Sequence, residues 1–261
     1  MNPHEQFCEE VRQNIKGMGR DQDLQALSRV WVREVSPYKW AYNFTWLGRP
    51  AIQFPNDAWA MQELIWRIRP DLIIETGIAH GGSLVFNASM LALLDMADAI
   101  AEGVSFAPQA SKRKVLGIDI DIRAHNREAI EAHPMASRIQ MIQGSSIDPN
   151  VVRQVHEIAA GYRTVLVCLD SNHTHEHVLA ELEAYAPLTS VGSYCVVFDT
   201  LVEDMPPHLQ PIDRPWGSGN NPKTAVHEFL RADPNFEIDY QIQHKLLITV
   251  APDGYLRRVA E

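Results

Sequence analysis

Asp170 and Asp199 each end a short apolar run, and His173 follows the first acid by three residues. In a parallel sheet, two carboxylates at neighbouring strand ends converge on one mouth. Such a pair of oxygen donors suits a hard divalent cation such as Mg²⁺, completed by waters and substrate hydroxyls. A neutral imidazole at His173 could then take a proton from a hydroxyl whose acidity the metal raises. The bland alternative for His173 is a histidine that opens the next helix. His175 and His177 are expected on that helix and on its solvent side. The run His173-Thr-His175-Glu-His177 lacks the i, i+4 pairing of H-E-x-x-H, which argues against a structural zinc site.

A second group lies in Asp71-Leu-Ile-Ile-Glu75-Thr-Gly77-Ile-Ala-His80-Gly81-Gly82-Ser83, followed by the apolar-periodic run Leu84–Leu94. The pattern is a buried strand, a tight turn and a helix. Glycines in the turn let a ligand approach the backbone, and the helix N-terminus offers free N–H groups. Glu75 at the strand end would repel a phosphate and would welcome an ammonium or sulfonium. Asp119 ends the next strand and suits the vicinal hydroxyls of a ribose, with Asp121 as an alternative. Asp119 alone would also serve a nicotinamide cofactor. The first turn does not match G-x-G-x-x-G, however, so Glu75 weighs against that oxidoreductase reading. No G-x-S-x-G elbow is present to support a hydrolase triad.

These residues need a scaffold of alternating strands and helices. Strands are expected at 72–76, 115–119, 139–143, 165–170 and 193–199, and helices at 83–100, 123–132, 148–160, 175–185 and 223–232. Two last strands, 236–240 and 246–250, would close the sheet as an antiparallel hairpin. The fold class is α/β: a doubly wound, mostly parallel seven-stranded sheet, covered on both faces, with an N-terminal helical extension. Residues 3–35 read as helical, 38–55 as an aromatic loop, and Asn56 as the N-cap of a helix through Arg67. Two units follow: an extension, 1–56, and a catalytic domain, 57–261. The loop 200–221 is long, proline-rich and carries Trp216.

Composition narrows the classes. With 261 residues, 46% hydrophobic and 21% charged, the chain is an ordinary globular protein of one elaborated domain. Its net charge of −10 excludes a general nucleic-acid surface. No apolar run approaches the roughly 20 residues that span a bilayer, so no membrane partner is expected. The N-terminus lacks the pattern of a secretory signal. Three cysteines (Cys8, Cys168, Cys195) have no metal-type spacing and fit a reducing cytoplasm.

As a linked set, several motifs resemble the cephalosporin hydroxylase family, also called the rhamnosyl O-methyltransferase family. They are Ile74-Glu75-Thr-Gly77 with Gly81-Gly82-Ser83, Gly117-Ile-Asp119-Ile-Asp121, Gly144-Ser145-Ser146, Asp170-Ser-Asn-His173-Thr, Ala186-Pro-Leu with Gly192-Ser193-Tyr194, Asp199-Thr200 and Gly219-Asn-Asn-Pro222. The likeness spans residues 59–240. It implies the Rossmann-like fold of S-adenosylmethionine-dependent methyltransferases. It implies that Glu75, Gly77, Ser83 and Asp119 line the cosubstrate site, with Ser145 and Ser146 near the adenine. Carried over, the metal ligands are Asp170 and the Phe198–Asp199 pair, and His173 is the base. The sequence departs from the pattern at Phe198, where Glu is commoner, and at Asn172, where Asp is common. Coordination of Mg²⁺ would then be completed by Asn172, Thr200 or water, or the metal is lost and His173 acts alone. The expected function is O-methylation of a hydroxyl on a sugar or glycosylated small molecule, by a homo-oligomer as in relatives. The alternatives are an NAD-dependent oxidoreductase and a non-catalytic homologue that retains cosubstrate binding.

Overall fold

The computed structural model describes residues 2–108, 111–209 and 213–261. Two amphipathic helices, α1 (Pro3–Arg20) and α2 (Gln22–Val35), open the chain, each started by an Asx side chain that caps it, Asn2 and Asp21. The aromatic segment is more than a loop. Two short 3-10 turns lead into a two-stranded hairpin, β1 (Phe44–Trp46) and β2 (Arg49–Ala51). Trp40 anchors the segment by edge-on contacts to Trp31, Phe44 and Phe54.

Next come α3 (Pro55–Ile68), β3 (Leu72–Thr76), α4 (Gly82–Glu102), β4 (Lys114–Asp119), α5 (Ala124–Glu131) and β5 (Ile139–Gln143). Then follow α6 (Pro149–Ala159), β6 (Val165–Leu169), α7 (His175–Tyr185), β7 (Tyr194–Val197) and α8 (Pro222–Ala232). The chain closes with β8 (Phe236–Ile238), α9 (Tyr240–Leu246) and β9 (Tyr255–Arg258). The sheet runs β5-β4-β3-β6-β7-β9-β8, parallel except at β9, which is antiparallel to both β7 and β8. Alternate strand residues face opposite cores. Ile73, Val115, Leu166, Val196 and Phe198 meet α3 and α4, while Ile74, Leu116, Val167 and Val197 meet α6, α7 and α8. Strand order reverses between β3 and β6, so the ligand cleft of such a sheet opens beyond their carboxyl ends.

Three expectations change. Asn56 does not cap α3; Pro55 takes the first turn after Phe54, with no side-chain cap. The final strand is not 246–250 but Tyr255–Arg258. Residues 240–246 coil into α9 behind the Asp239 cap, and the apolar run after it is held by buried Asp57 instead of a ladder. Val250 N donates to Asp57 Oδ2 (2.9 Å), and the Thr249 hydroxyl donates to Oδ1. Burial lifts the Asp57 carboxyl to about 6. Finally, α4 is long and apolar enough to cross a membrane, the one such helix among the described residues. Half of that stretch is buried inside the protein, which accounts for its apolarity as a core helix.

Candidate active site

The turn between β3 and α4 is built from left-handed backbone at Gly77, Ala79 and Gly81. Gly77 is obligatory for a reason internal to the protein: a Cβ there would collide with the Asp170 carbonyl oxygen. A Cβ at Gly82 would collide likewise with Pro50 of the hairpin. These glycines therefore clear space for neighbouring chain as well as keeping the turn free of side chains. Asp119 organises the turn from the next strand. Its Oδ2 accepts from Ile78 N (2.8 Å) and Ala79 N (3.3 Å), and its Oδ1 from Asp121 N (3.0 Å). The carboxylate is thereby fixed at the strand mouth with one Oδ1 lone pair left over for a hydroxyl, and Asp121 supports it from the backbone.

Glu75 is 2% exposed. The period-two alternation puts it on the Ile73 face, beneath α4. There one oxygen accepts from the Ser83 hydroxyl and the other from Asn87 Nδ2 (2.8 Å). Glu75 and Ser83 are thus brought together, but their polar atoms meet each other. Burial raises the Glu75 carboxyl to about 7, against the pull of those two bonds. Asn87 Oδ1 is buried without a partner.

At the mouths of β6 and β7, Asp170, His173 and Asp199 each offer one ligand atom, and these atoms lie within 4.8 Å of one another. This is the one such group of His, Cys, Asp or Glu among the described residues. His173 Nε2 is 3.3 Å from Asp199 Oδ2. The Asp170 carboxyl is pushed well above its usual range by burial and then by the charges of Asp199, Glu75 and Glu181. Two carboxylate oxygens and an imidazole nitrogen, crowded by excess negative charge, fit a divalent cation. Asp199 holds its place in left-handed backbone (φ 55°), a conformation that costs energy outside glycine and recurs at functional sites.

The expected supplementary ligands have hydrogen-bond partners of their own. Thr200 is fully buried and its hydroxyl donates to the Pro252 carbonyl (2.6 Å). Asn172 Oδ1 accepts from Thr174 N (2.9 Å), shaping the loop before α7. Phe198 is in the core with Val196 and Tyr194. The sequence offered His173 as base only; its place beside both acids also makes it the third possible donor. Trp216 packs edge-on against His173, ring centroids 4.8 Å apart. A lone Trp in a Pro-rich loop gave no sign of that contact. Of that loop, residues 210–212 lie outside the described ones.

His177 also departs from expectation. It turns inward, with Nε2 at 3.0 Å from Ser146 Oγ and 3.2 Å from Ser171 Oγ. Ser171 donates to Glu181 (2.6 Å), and the Tyr185 hydroxyl bonds the Ser146 carbonyl. Ser146 is buried at the mouth of β5, while Ser145 is partly exposed and its carbonyl accepts from Asp148 N (3.0 Å). His175 sits at the start of α7, bonded to Thr224 (2.8 Å) and near Glu228 (3.2 Å).

Beside Asp199 lies a cavity of about 240 Å³. Its walls come from the aromatic segment (Trp40, Tyr42, Gln53, Phe54) and from the loop after β7 (Leu201, Met205).

Known proteins resemble this chain along most of its length. Residues 38–259 match the family model described as Rhamnosyl O-methyltransferase/CmcI. The rhamnosyl O-methyltransferase of Mycobacterium bovis (strain BCG / Pasteur 1173P2) is 30% identical over 232 residues, covering 85% of this chain and 83% of the relative. That of Mycobacterium leprae is 29% identical over 229 residues, covering 85% and 88%. Among solved structures, "cmcI-N160 SAH" superposes with a TM-score of 0.54 at 20% identity, covering 83% of each chain, a likeness of fold. The chain belongs to the rhamnosyl O-methyltransferase/CmcI family.

Proposed function

We propose that this protein transfers the methyl group of S-adenosylmethionine to a hydroxyl of a sugar or glycosylated small molecule. The convergence of Asp170, His173 and Asp199 beside a cavity that Asp199 itself lines carries this reading. The relatives named rhamnosyl O-methyltransferase support the sugar acceptor. A neighbour of the same fold titled "cmcI-D160 Mg-SAM" makes Mg²⁺ and S-adenosylmethionine the ligands to try first. The cavity is small beside the about 300–1,000 Å³ of drug-sized sites, which suits a single sugar unit.

In this reading Asp119 binds the ribose, the turn at Gly77 with Glu75 and Ser83 beneath it shapes the cosubstrate cleft, and Ser145 and Ser146 border the adenine. Asp170 and Asp199 would hold a divalent cation, whose charge makes an acceptor hydroxyl more acidic. His173 Nε2 takes the hydroxyl proton, and the Asp199 carboxylate at 3.3 Å stabilises the imidazolium that results. The acceptor oxygen's lone pair forms the bond to the methyl carbon as the carbon–sulfur bond breaks. That electron pair stays on sulfur, leaving S-adenosylhomocysteine. Trp216 limits water at the imidazole by covering one edge.

The test is S-adenosylhomocysteine production from S-adenosylmethionine and a panel of rhamnosides and other glycosides, with Mg²⁺ and after chelation. His173→Ala should lower kcat by roughly 10²–10⁴-fold with cosubstrate affinity unchanged. Unaltered single-turnover transfer would remove His173 as the base. Binding of NAD in place of S-adenosylmethionine would revive the oxidoreductase reading. Absence of both Mg²⁺ binding and turnover would favour a non-catalytic homologue.

The proposal extends to assembly and placement. Residues 1–56 act as an extension that walls the acceptor cavity of the domain 57–261. A homo-oligomer is supported by the apolar surface of α3 (Trp59, Trp66) and α4 (Leu93, Met96, Ile100). Three unpaired cysteines support a cytoplasmic location.

A further inference from the structure

The hairpin of β1 and β2 touches the proposed cosubstrate turn, and the chain on either side of it lines the proposed acceptor cavity. Arg49 on β2 reaches the turn directly. Its Nε and Nη2 both donate to the His80 carbonyl (3.0 and 2.6 Å), and Nη2 also donates to Asn126 Oδ1 (3.1 Å). Asn126 is buried on α5 and passes the link on, donating from Nδ2 to the Ala79 carbonyl (2.9 Å). One guanidinium therefore holds the His80 carbonyl directly and the Ala79 carbonyl through Asn126, in a turn whose Ala79 is in left-handed backbone.

The rest of the hairpin is fastened in the same direction. Pro50 fills the space that the missing Cβ of Gly82 leaves. His133 Nε2 lies 3.1 Å from the Leu47 carbonyl. Trp46 Nε1 donates to Ser89 Oγ on α4 (3.0 Å). Immediately beyond β2, Ile52, Gln53 and Phe54 line the cavity that Asp199 borders. Arg49 makes no ion pair among the described residues, so its charge-assisted bonds are all spent on this clamp.

We propose that Arg49 is a positioning residue that locks the cosubstrate turn to the hairpin, so that filling the cosubstrate cleft orders the wall of the acceptor cavity. The inference rests on the cosubstrate and acceptor sites assigned above. Linkage makes the effect reciprocal: whatever firms the hairpin must also tighten cosubstrate binding. Lysine replaces the fork only in part, because an ammonium can reproduce the contacts of Nη2 but loses the Nε bond to the His80 carbonyl and the planar fork that aims them.

The test uses the full chain with S-adenosylhomocysteine as probe, read by isothermal titration and by amide hydrogen exchange over 44–54 and 77–83. In the native protein the probe should slow exchange in both segments. Arg49→Met keeps the apolar stem and removes the guanidinium. It should weaken the probe about tenfold or more and abolish the protection of 44–54. Arg49→Lys should fall between. If Arg49→Met does not fold, Arg49→Lys and Asn126→Ala carry the comparison. Native binding that leaves exchange over 44–54 unchanged overturns the coupling alone. So does an Arg49 variant with native affinity and full protection of 44–54. A native protein that fails to bind the probe overturns the cosubstrate site and the coupling with it.

Discussion

Glu75 titrates near neutrality, at about 7, because burying the carboxylate costs more than the Ser83 and Asn87 bonds return. Protonated, it can donate to Asn87 once that amide turns over, satisfying the otherwise unpartnered Oδ1. The folded pKa of about 7 exceeds the ordinary 4.5, so the folded state binds the proton more tightly. Its stabilising effect is complete below about pH 4.5 and is lost as pH rises through 7. Glu75→Gln should flatten that loss, giving a higher melting temperature than the native protein at pH 8 and none of the advantage at pH 4.5. The difference between the two pH values should be on the order of 3 kcal/mol. At the other acids, Asp199→Asn should keep the fold, since Asn tolerates the left-handed backbone. It should lose Mg²⁺ binding, which titration calorimetry would measure. Phe198→Glu should not restore a ligand; it buries a charge in the core and should cost about 3–5 kcal/mol in chemical denaturation. The acids themselves were legible because a carboxylate that ends an apolar run announces a strand mouth. Where each points was legible only in part. Alternation from Ile73 implies that Glu75 faces α4, but Asn87 as its partner depends on how helix and strand pack.

At the scale of elements, the site is held by close approaches between turns. Gly77 lets the turn after β3 lie on the Asp170 carbonyl, so the cosubstrate turn and a metal-site acid share one contact. Gly77→Ala should therefore destabilise the fold by roughly 2–4 kcal/mol, lowering the melting temperature by roughly 5–15 °C. It should also impair methyl transfer more than the Tm alone explains, because Asp170 must move. Strands β3 to β7 and their helices were legible from apolar runs and helical periodicity. The segment 246–250 was not, because a short buried run looks alike whether its N–H groups meet a strand or a carboxylate. Here Asp57 supplies the partner from nearly two hundred residues away in sequence. The hairpin of β1 and β2 was hidden for a similar reason, since three-residue strands leave too little alternation to read.

For the whole molecule, the alternating order and the carboxyl-end acids were enough to place a cleft, and the family resemblance supplied its chemistry. Surfaces were less legible, since an amphipathic helix reads the same whether its outer apolar residues meet solvent or a second copy. Trp59 is 68% exposed and Ile100 73% exposed, which is costly surface for an isolated protein. Ile100→Lys with Trp59→Glu should shift sedimentation toward the monomer while leaving the melting temperature within a few degrees. Unchanged sedimentation would place any interface elsewhere.

The antiparallel insertion of β9 between β7 and β8 has a kinetic consequence. Among the described residues β8 pairs only with β9, and β9 lies later in the chain. Until the chain has passed through α9 and come back, β8 is therefore unpaired and its edge is open. The parallel half of the sheet can assemble while that edge is still waiting. The distant parallel pairing of β3 with β6 should set the folding rate, and a chain cut before Tyr255 should keep the β7 and β8 edges open and be more prone to aggregate than the whole one.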